Sequence, residues 1–268
     1  MDYATYDALP GVNWSTLKNL GKSPAHYKHR LSSPRADGPA MLLGRAVHKA
    51  VLEPGAFSDD FLVWQGGTRR GAAWDAFRHG AGCRDILKQD ELDDVLALQT
   101  AVRSDPIAAH FLRSGAAETC AQWTDDATGI ACKGLIDWYD ARNGVLLDLK
   151  TGRDASPGGF GRATYNWQYH CQMAYYRDGL VAMGLRVDRV ILCAVEKEAP
   201  YPVVCYEVPA DVLELGRTTY RELLVQLKGL RAADLWPGYA TGVVQLQLPK
   251  WAMPDVDSDD TGEAGEAW

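Results

Sequence analysis

In Val145-Leu146-Leu147-Asp148-Leu149-Lys150 an acid and a base stand two residues apart in an otherwise apolar run. In an extended strand that spacing puts both side chains on one face. A carboxylate among apolar neighbours is costly unless it is paired or binds a cation, and a plain ion pair between Asp148 and Lys150 is one reading of the motif. Asp137 supplies the other. It ends the apolar run Gly134-Leu135-Ile136, and an Asn-Gly turn within Ala141-Arg142-Asn143-Gly144 places it across a hairpin from the Asp148 strand. Two converging carboxylates repel, so a divalent cation between them is a physical reason for both to stay ionised. Hard oxygen donors suit Mg2+, with Mn2+ as a substitute. Such a cation polarises a phosphoryl oxygen while the Lys150 ammonium stabilises charge or orients the nucleophile, which is the equipment for hydrolysing a phosphodiester.

The surrounding elements must bring these groups together. Alternating apolar runs over 118–124, 130–139 and 145–151, punctuated by turn residues, predict an antiparallel meander. Residues 13–20, capped by Asn13, and a second segment opened by Ser23-Pro24 read as short helices. Met41, Leu42, Ala46, Val47, Ala50 and Val51 recur on a helical period over residues 39–52, with His48 on the half-exposed side. The glycine- and arginine-containing stretch 66–71 predicts a mobile loop, followed by a helix over 89–103. Further helices are expected over 165–183 and 210–230, and strands over 187–196 and 202–208. The expectation is one α/β (α+β) domain over residues 1–254, in which a central mixed sheet is flanked by the His48 and Gln172 helices and the N-terminal helices of 13–53 pack on the core.

Composition narrows the class. The 268 residues are 47% hydrophobic and 24% charged, a globular profile. No apolar run approaches the roughly 18 residues needed to span a bilayer, and the first ten residues lack the features of a signal peptide, so a cytoplasmic protein without membrane contact is expected. Six scattered cysteines without a C-x-x-C pair read as free thiols and argue against zinc or an iron–sulfur cluster. The net charge of -7 is concentrated in residues 255–268, which hold six acids and no base and leave the body at about -1. Net charge therefore neither supports nor excludes a nucleic-acid partner. The tail itself reads as a disordered acidic end, although its terminal Trp268 would suit a basic pocket on a partner or in the protein's own channel.

Asp137 followed by Asp148-Leu149-Lys150 is similar to the D…(D/E)-x-K signature of PD-(D/E)XK nucleases, with Ile136 in place of the proline that names the motif. Gly44-Arg45-Ala46-Val47-His48 resembles the G-x-x-x-H helix, and Gln172-Met173-Ala174-Tyr175-Tyr176 the Q-x-x-x-Y helix, of the RecB-like branch. Within that branch the chain most resembles the phage and prophage exonuclease VIII (RecE-type) nuclease domain. The resemblance runs from Ser23-Pro24-Ala25-His26-Tyr27 through Asp148-Leu149-Lys150-Thr151 and Asp154-Ala155-Ser156-Pro157 to Leu235-Trp236-Pro237-Gly238-Tyr239. It implies a restriction-endonuclease-like core and 5′-to-3′ digestion of one strand at double-stranded DNA ends. It also implies a single-strand annealing protein of the RecT or Beta type as partner and a ring-shaped homo-oligomer, a trimer or tetramer. By the same resemblance His48, Asp137, Asp148 and the Leu149 carbonyl would ligate metal, with Glu118 at or near a second metal position.

Each residue also has a plainer reading. His48 beside apolar neighbours suits a hydrogen-bonded packing residue, and Glu118 a carboxylate at the surface end of a strand. Gln172 and Tyr176, four apart on a helix and continued by Tyr165 and Tyr169, suit a core stripe whose polar tips need partners. If that face meets the Lys150 strand, Gln172 would position the lysine or water and Tyr176 would touch a phosphate. Arg69, Arg70, Lys133 and Arg162, with Tyr165, are the candidates for backbone-directed, salt-sensitive DNA contact. The alternatives to an exonuclease are a structure-specific endonuclease or a helicase-linked RecB- or Cas4-like nuclease, and, from another class, an inactive scaffold that binds DNA ends.

Overall fold

The computed structural model describes residues 3–33, 38–240 and 242–252. The acidic tail expected over 255–268, with Trp268, lies outside them. The chain opens with α1 (Tyr3–Ala8), α2 (Trp14–Leu17), a 3-10 turn over Lys18–Gly21, α3 (Pro24–Ser32) and α4 (Pro39–Leu52). Capping fixes where these helices begin. The Asn13 side chain accepts from Thr16 N at 2.9 Å, that of Ser23 accepts from His26 N at 3.3 Å, and proline occupies the first turn of α3 and α4. Next come α5 (Phe57–Asp60), β1 (Phe61–Trp64), α6 (Ala72–Ala81), β2 (Asp85–Lys88), α7 (Gln89–Ser104) and α8 (Pro106–Phe111). The remainder is β3 (Ala116–Thr124), β4 (Ala131–Asp140), β5 (Val145–Gly152), α9 (Pro157–Asn166), α10 (Tyr169–Ala182), β6 (Arg189–Glu196), β7 (Val203–Glu207) and α11 (Ala210–Ala233).

The main sheet has the order β3-β4-β5-β6-β7. Short turns make β3–β4, β4–β5 and β6–β7 antiparallel, whereas the crossover through α9 and α10 makes β5–β6 parallel. Each face carries its own core. Leu146, Met173, Tyr175, Leu180, Leu224 and Leu227 fill the layer beneath α10 and α11; Val47, Val51, Leu98, Leu147 and Leu149 fill the layer beneath α4 and α7. Strand β5 is thus covered on both sides, which is why it reads as a continuous apolar run.

Two elements depart from the sequence reading. The helix expected over 165–183 is two helices, because Gln168 adopts a left-handed conformation (φ 58°, ψ 41°) that no continuous helix contains. Residues 61–64 and 85–88 pair in a separate parallel two-stranded sheet. Each of these strands is four residues long, too short to show a period.

Lys133, expected to meet phosphate, is instead buried at 4% exposure. Its ammonium donates to the carbonyls of Tyr6 (3.1 Å), Asp7 (2.8 Å) and Leu9 (2.7 Å), gathering carbonyls at the C-terminal end of α1. That use of all three donors leaves none for a ligand.

Asp178 clamps α10 to α11. It accepts from Arg217 at 2.6 and 2.8 Å and from the Tyr220 hydroxyl at 2.6 Å. Burial opposes its charge, but the hydrogen bonds from Arg217 and Tyr220 outweigh it and hold its pKa below the usual carboxylate value. A depressed folded pKa gives stability that is present above the unfolded value, about 3.9, and lost as the pH falls through the folded one. Asp178→Ala leaves the Tyr220 hydroxyl without its acceptor and Arg217 with Glu214 alone, and is expected to cost about 3 kcal/mol at pH 7. Urea unfolding checks this, and the gap from wild type should narrow below about pH 4.

Candidate active site

The antiparallel ladder between β4 and β5 has only three rungs, Asp140–Val145, Tyr139–Leu146 and Trp138–Leu147. The next position in the same register sets Asp137 opposite Asp148, and there the strands part. Ile136 packs in the α10 layer and Trp138 in the α4 layer, although alternate residues of a regular strand share a face, so β4 twists at Asp137. The Asp137 carboxylate turns into the opening and accepts from Leu149 N at 2.9 Å. An extended residue presents its N–H and C=O to the same edge, which directs the Leu149 carbonyl into the opening as well. From α4, His48 Nδ1 reaches Asp137 Oδ2 at 3.3 Å.

Glu118 lies within β3 opposite Asp137, not at the strand's end. It is the one residue of β3 without a rung to β4, and its φ is 49°. A left-handed conformation is uncommon for glutamate, and it breaks the pairing where the carboxylate meets the site.

On β5, Lys150 Nζ stands 2.5 Å from Asp148 Oδ2. The two form a close ion pair, and no other group donates to this 1%-exposed carboxylate. Lys150 also donates to Gln172 Oε1 at 2.9 Å, and its ammonium sits 4.5 Å from the centre of the Tyr169 ring. Gln172 in turn donates to the Tyr176 hydroxyl at 3.1 Å. Gln172 therefore positions the lysine. Tyr176 is buried and its hydroxyl accepts from Gln172, so it supports that glutamine.

This relay depends on Gly134, where an added Cβ would lie 2.9 Å from two carbons of the buried Tyr176 ring. Gly134→Ala is expected to shift Tyr176, and through Gln172 the ammonium of Lys150, lowering phosphodiester cleavage about 10- to 100-fold in a folded protein. Parallel assays of cleavage and of thermal unfolding separate the two effects.

The charges are mutually perturbed. Burial, then repulsion from Asp137, raises the pKa of Asp148 to about 6, and the same two causes raise Glu118 to about 7. Burial also works against ionised Asp137, but the charge and hydrogen bond of His48, with Lys150 and the Leu149 N–H, hold its pKa below normal. His48 and Lys150 are shifted up because Asp137 and Asp148 outweigh their burial. Like-signed groups crowded into a desolvated opening mark a site built for a counter-charge.

Among the described residues no three His, Cys, Asp or Glu side chains already converge as a closed metal cage. Mg2+ rarely needs one: it is held by one or two carboxylates together with waters and substrate phosphates. The buried Asp148 carboxylate, the facing Asp137 and the Leu149 carbonyl offer that kind of hard-oxygen set, and the residues fit the cation.

The remaining candidates divide. Arg69, expected to project from a mobile loop, is a strut: it donates to Ile86 O at 2.8 Å and pairs with Glu91. Arg70, Arg162 and Tyr165 are exposed, Tyr165 to 69% and stacked on His170. Two residues at the site had no signal in the sequence reading as partners of Lys150. One is Tyr169 beneath the ammonium. The other is half-buried Lys18, whose pKa is lowered by burial and then by the charges of Lys150 and Lys22. Only tertiary packing brings them there.

Comparison with known families matches residues 13–247 to the PDDEXK-like domain of unknown function (DUF3799). No curated protein matches the chain. Among solved structures, a protein from Eubacterium rectale named as a candidate exonuclease superposes with a TM-score of 0.63 at 13% identity, over 92% of this chain and 94% of its own. A phage-related exonuclease from Haemophilus somnus 129PT covers 86% of this chain and 100% of its own, at 8% identity and a TM-score of 0.37. The first likeness supports the fold, and the second is too low to carry an argument. Because the matched span takes in both faces of the sheet and the whole splayed-strand site, the chain belongs to the PDDEXK-like family DUF3799.

Proposed function

We propose that this PDDEXK-type nuclease is a magnesium-dependent exonuclease acting on the ends of double-stranded DNA. The observation that carries the reading is the parting of β4 and β5 at Asp137 and Asp148, with the buried Asp148 carboxylate held by nothing but its ion pair to Lys150. Asp137, Asp148 and the Leu149 carbonyl would hold the cation, with His48 against Asp137 and Glu118 at the margin. The cation would supply Lewis acidity and neutralise charge on the phosphodiester. The chain's own groups do the rest. Lys150, fixed by Gln172 and the Tyr169 ring, places a positive charge where the phosphoryl oxygens gain negative charge. His48 and the Leu149 N–H fix the orientation of Asp137. Exposed Arg70, Arg162 and Tyr165 are suited to the sequence-independent backbone contacts that such an enzyme requires.

The finer reading rests on the sequence resemblance to RecE-type domains: 5′-to-3′ polarity, 3′ single-stranded products for an annealing protein of the RecT or Beta type, and a ring of three or four copies in the cytoplasm. No helix among the described residues is long and apolar enough to cross a membrane. The test is nucleotide release from linear duplex DNA and from covalently closed circles, with Mg2+ or EDTA. Mg2+-dependent loss of the linear form alone is expected. Cleavage of circles would replace the reading with an endonuclease, and binding without cleavage in Mg2+ or Mn2+ would replace it with a scaffold.

A further inference from the structure

Cys193 on β6 stands directly opposite Cys205 on the edge strand β7. The backbone bonds identify the kind of rung. Val208 N donates to Val190 O at 2.8 Å and Glu196 N to Pro202 O at 3.1 Å. Hydrogen-bonded rungs alternate in an antiparallel pair, so counting inward from either end makes 192/206 and 194/204 bonded and 193/205 non-bonded. Non-bonded rungs bring Cα atoms to about 4.5 Å, with side chains at their closest. That lies inside the roughly 4.4–6.8 Å that a disulfide spans, so no strand has to move for the sulfurs to join.

Access is asymmetric. Cys193 is buried, whereas Cys205 is half-buried and lines a surface cleft of about 330 Å³ with Ile107, His110, Phe111, Arg189 and Glu207. The two thiols face one another across this rung, and their interaction lowers the pKa of Cys205 against the effect of its burial and raises that of Cys193. The more accessible sulfur is thus also the readier thiolate, the arrangement of an attacking thiol backed by a resolving one.

We propose that Cys193 and Cys205 form a redox-active dithiol that closes to a cross-strand disulfide when a small-molecule disulfide enters this cleft. The Cys205 thiolate attacks one sulfur of the small disulfide, forming a mixed disulfide and expelling the first small thiolate. The Cys193 thiolate then attacks the Cys205 sulfur and expels the second. Two protein thiols are oxidised to one disulfide, one small disulfide is reduced to two thiols, and the two protons leave with them. The new bond ties the edge strand to β6, one strand away from β5, with Cys193 in register with Leu149.

The test treats full-length Cys83→Ser protein, which lacks the exposed thiol, with oxidised glutathione. Loss of two thiols per chain is expected, with tryptic peptides 190–197 and 198–217 recovered as one cross-linked species that separates on reduction. Cys193→Ser should trap glutathione on Cys205, and Cys205→Ser should leave Cys193 unmodified. The closed form should unfold roughly 5 °C or more above the reduced form. A stable glutathione adduct on Cys205 with Cys193 intact would overturn the proposal. So would both thiols staying reduced under conditions that fully modify Cys83 of the unsubstituted protein.

Discussion

Asp148→Asn is expected to reduce release of nucleotides from linear duplex DNA by about 1,000-fold or more while leaving the protein folded. The amide keeps the size of the carboxylate but neither its charge nor its capacity as a hard anionic ligand. It therefore removes the group that holds both the cation and Lys150, a loss of several kcal/mol from a reaction in which charge builds on a phosphodiester. Stability should move little, and opposing terms explain why. At neutral pH the fold disfavours ionised Asp148, whose pKa is raised to about 6 by burial and by Asp137, so neutralising it relieves repulsion. Against that, Lys150 loses its nearest counter-ion, although Asp137 and the Gln172 bond remain. Lys150→Ala differs in one respect: it too abolishes cleavage, but it strips a buried carboxylate of its only nearby ammonium, so it should be the less stable of the two. Near-unchanged activity in a folded Asp148→Asn protein would remove the site from consideration.

How much of this was legible in the chain depends on the range of the interaction. Asp148 and Lys150 are two apart, and a strand's period alone puts them together, so the strand-level reading found the pair and the structure gives their contact. The meander, the Asn13 and Ser23 caps and the α4 stripe are likewise local, and all are present with boundaries shifted by a few residues. What could not be read is where pairing stops. Nothing in 134–150 says that β4 and β5 part at Asp137 and Asp148, because the parting is maintained from outside by His48 and from within by an Asp137–Leu149 bond. Lys133 shows the opposite failure. A lysine in a strand ordinarily reaches solvent, and only the return of α1 across β4, 127 residues away in sequence, converts it into a buried donor to three carbonyls. Glu118 was misplaced at a strand end for a similar reason, since its left-handed backbone is an exception to glutamate's own preference and interrupts the ladder in mid-strand.

In EDTA the protein is expected to lose stability as the pH rises from about 4 to about 7, and excess Mg2+ should return most of it. The sign follows from Glu118 and Asp148. Their pKa values stand at about 7 and about 6 in the fold, against 4.5 and 3.8 without it. Between those limits the folded chain binds more protons than the unfolded one, so raising the pH favours unfolding. Asp137 and Asp178 are shifted the other way, but their window lies below about pH 4 and does not overlap. At about 1.4 kcal/mol per pH unit the two raised carboxylates set an upper bound of roughly 6.5 kcal/mol, and His48, also raised, adds to the loss in the same sense above its unfolded value of 6.5. Mutual coupling and relaxation should reduce this to about 2–3 kcal/mol, or several degrees in Tm. A divalent cation replaces the protons as the counter-charge, so its stabilisation must grow as they leave: small at pH 5, large at pH 8. Thermal unfolding at both pH values, in EDTA and in Mg2+, measures the four corners of this cycle. Glu118→Gln and Asp148→Asn should each flatten the EDTA curve, and Asp148→Asn should also remove the Mg2+ shift. An Mg2+ shift of equal size at pH 5 and pH 8 would mean that the cation binds away from these carboxylates, and the β4–β5 opening would then need another explanation for its buried carboxylates.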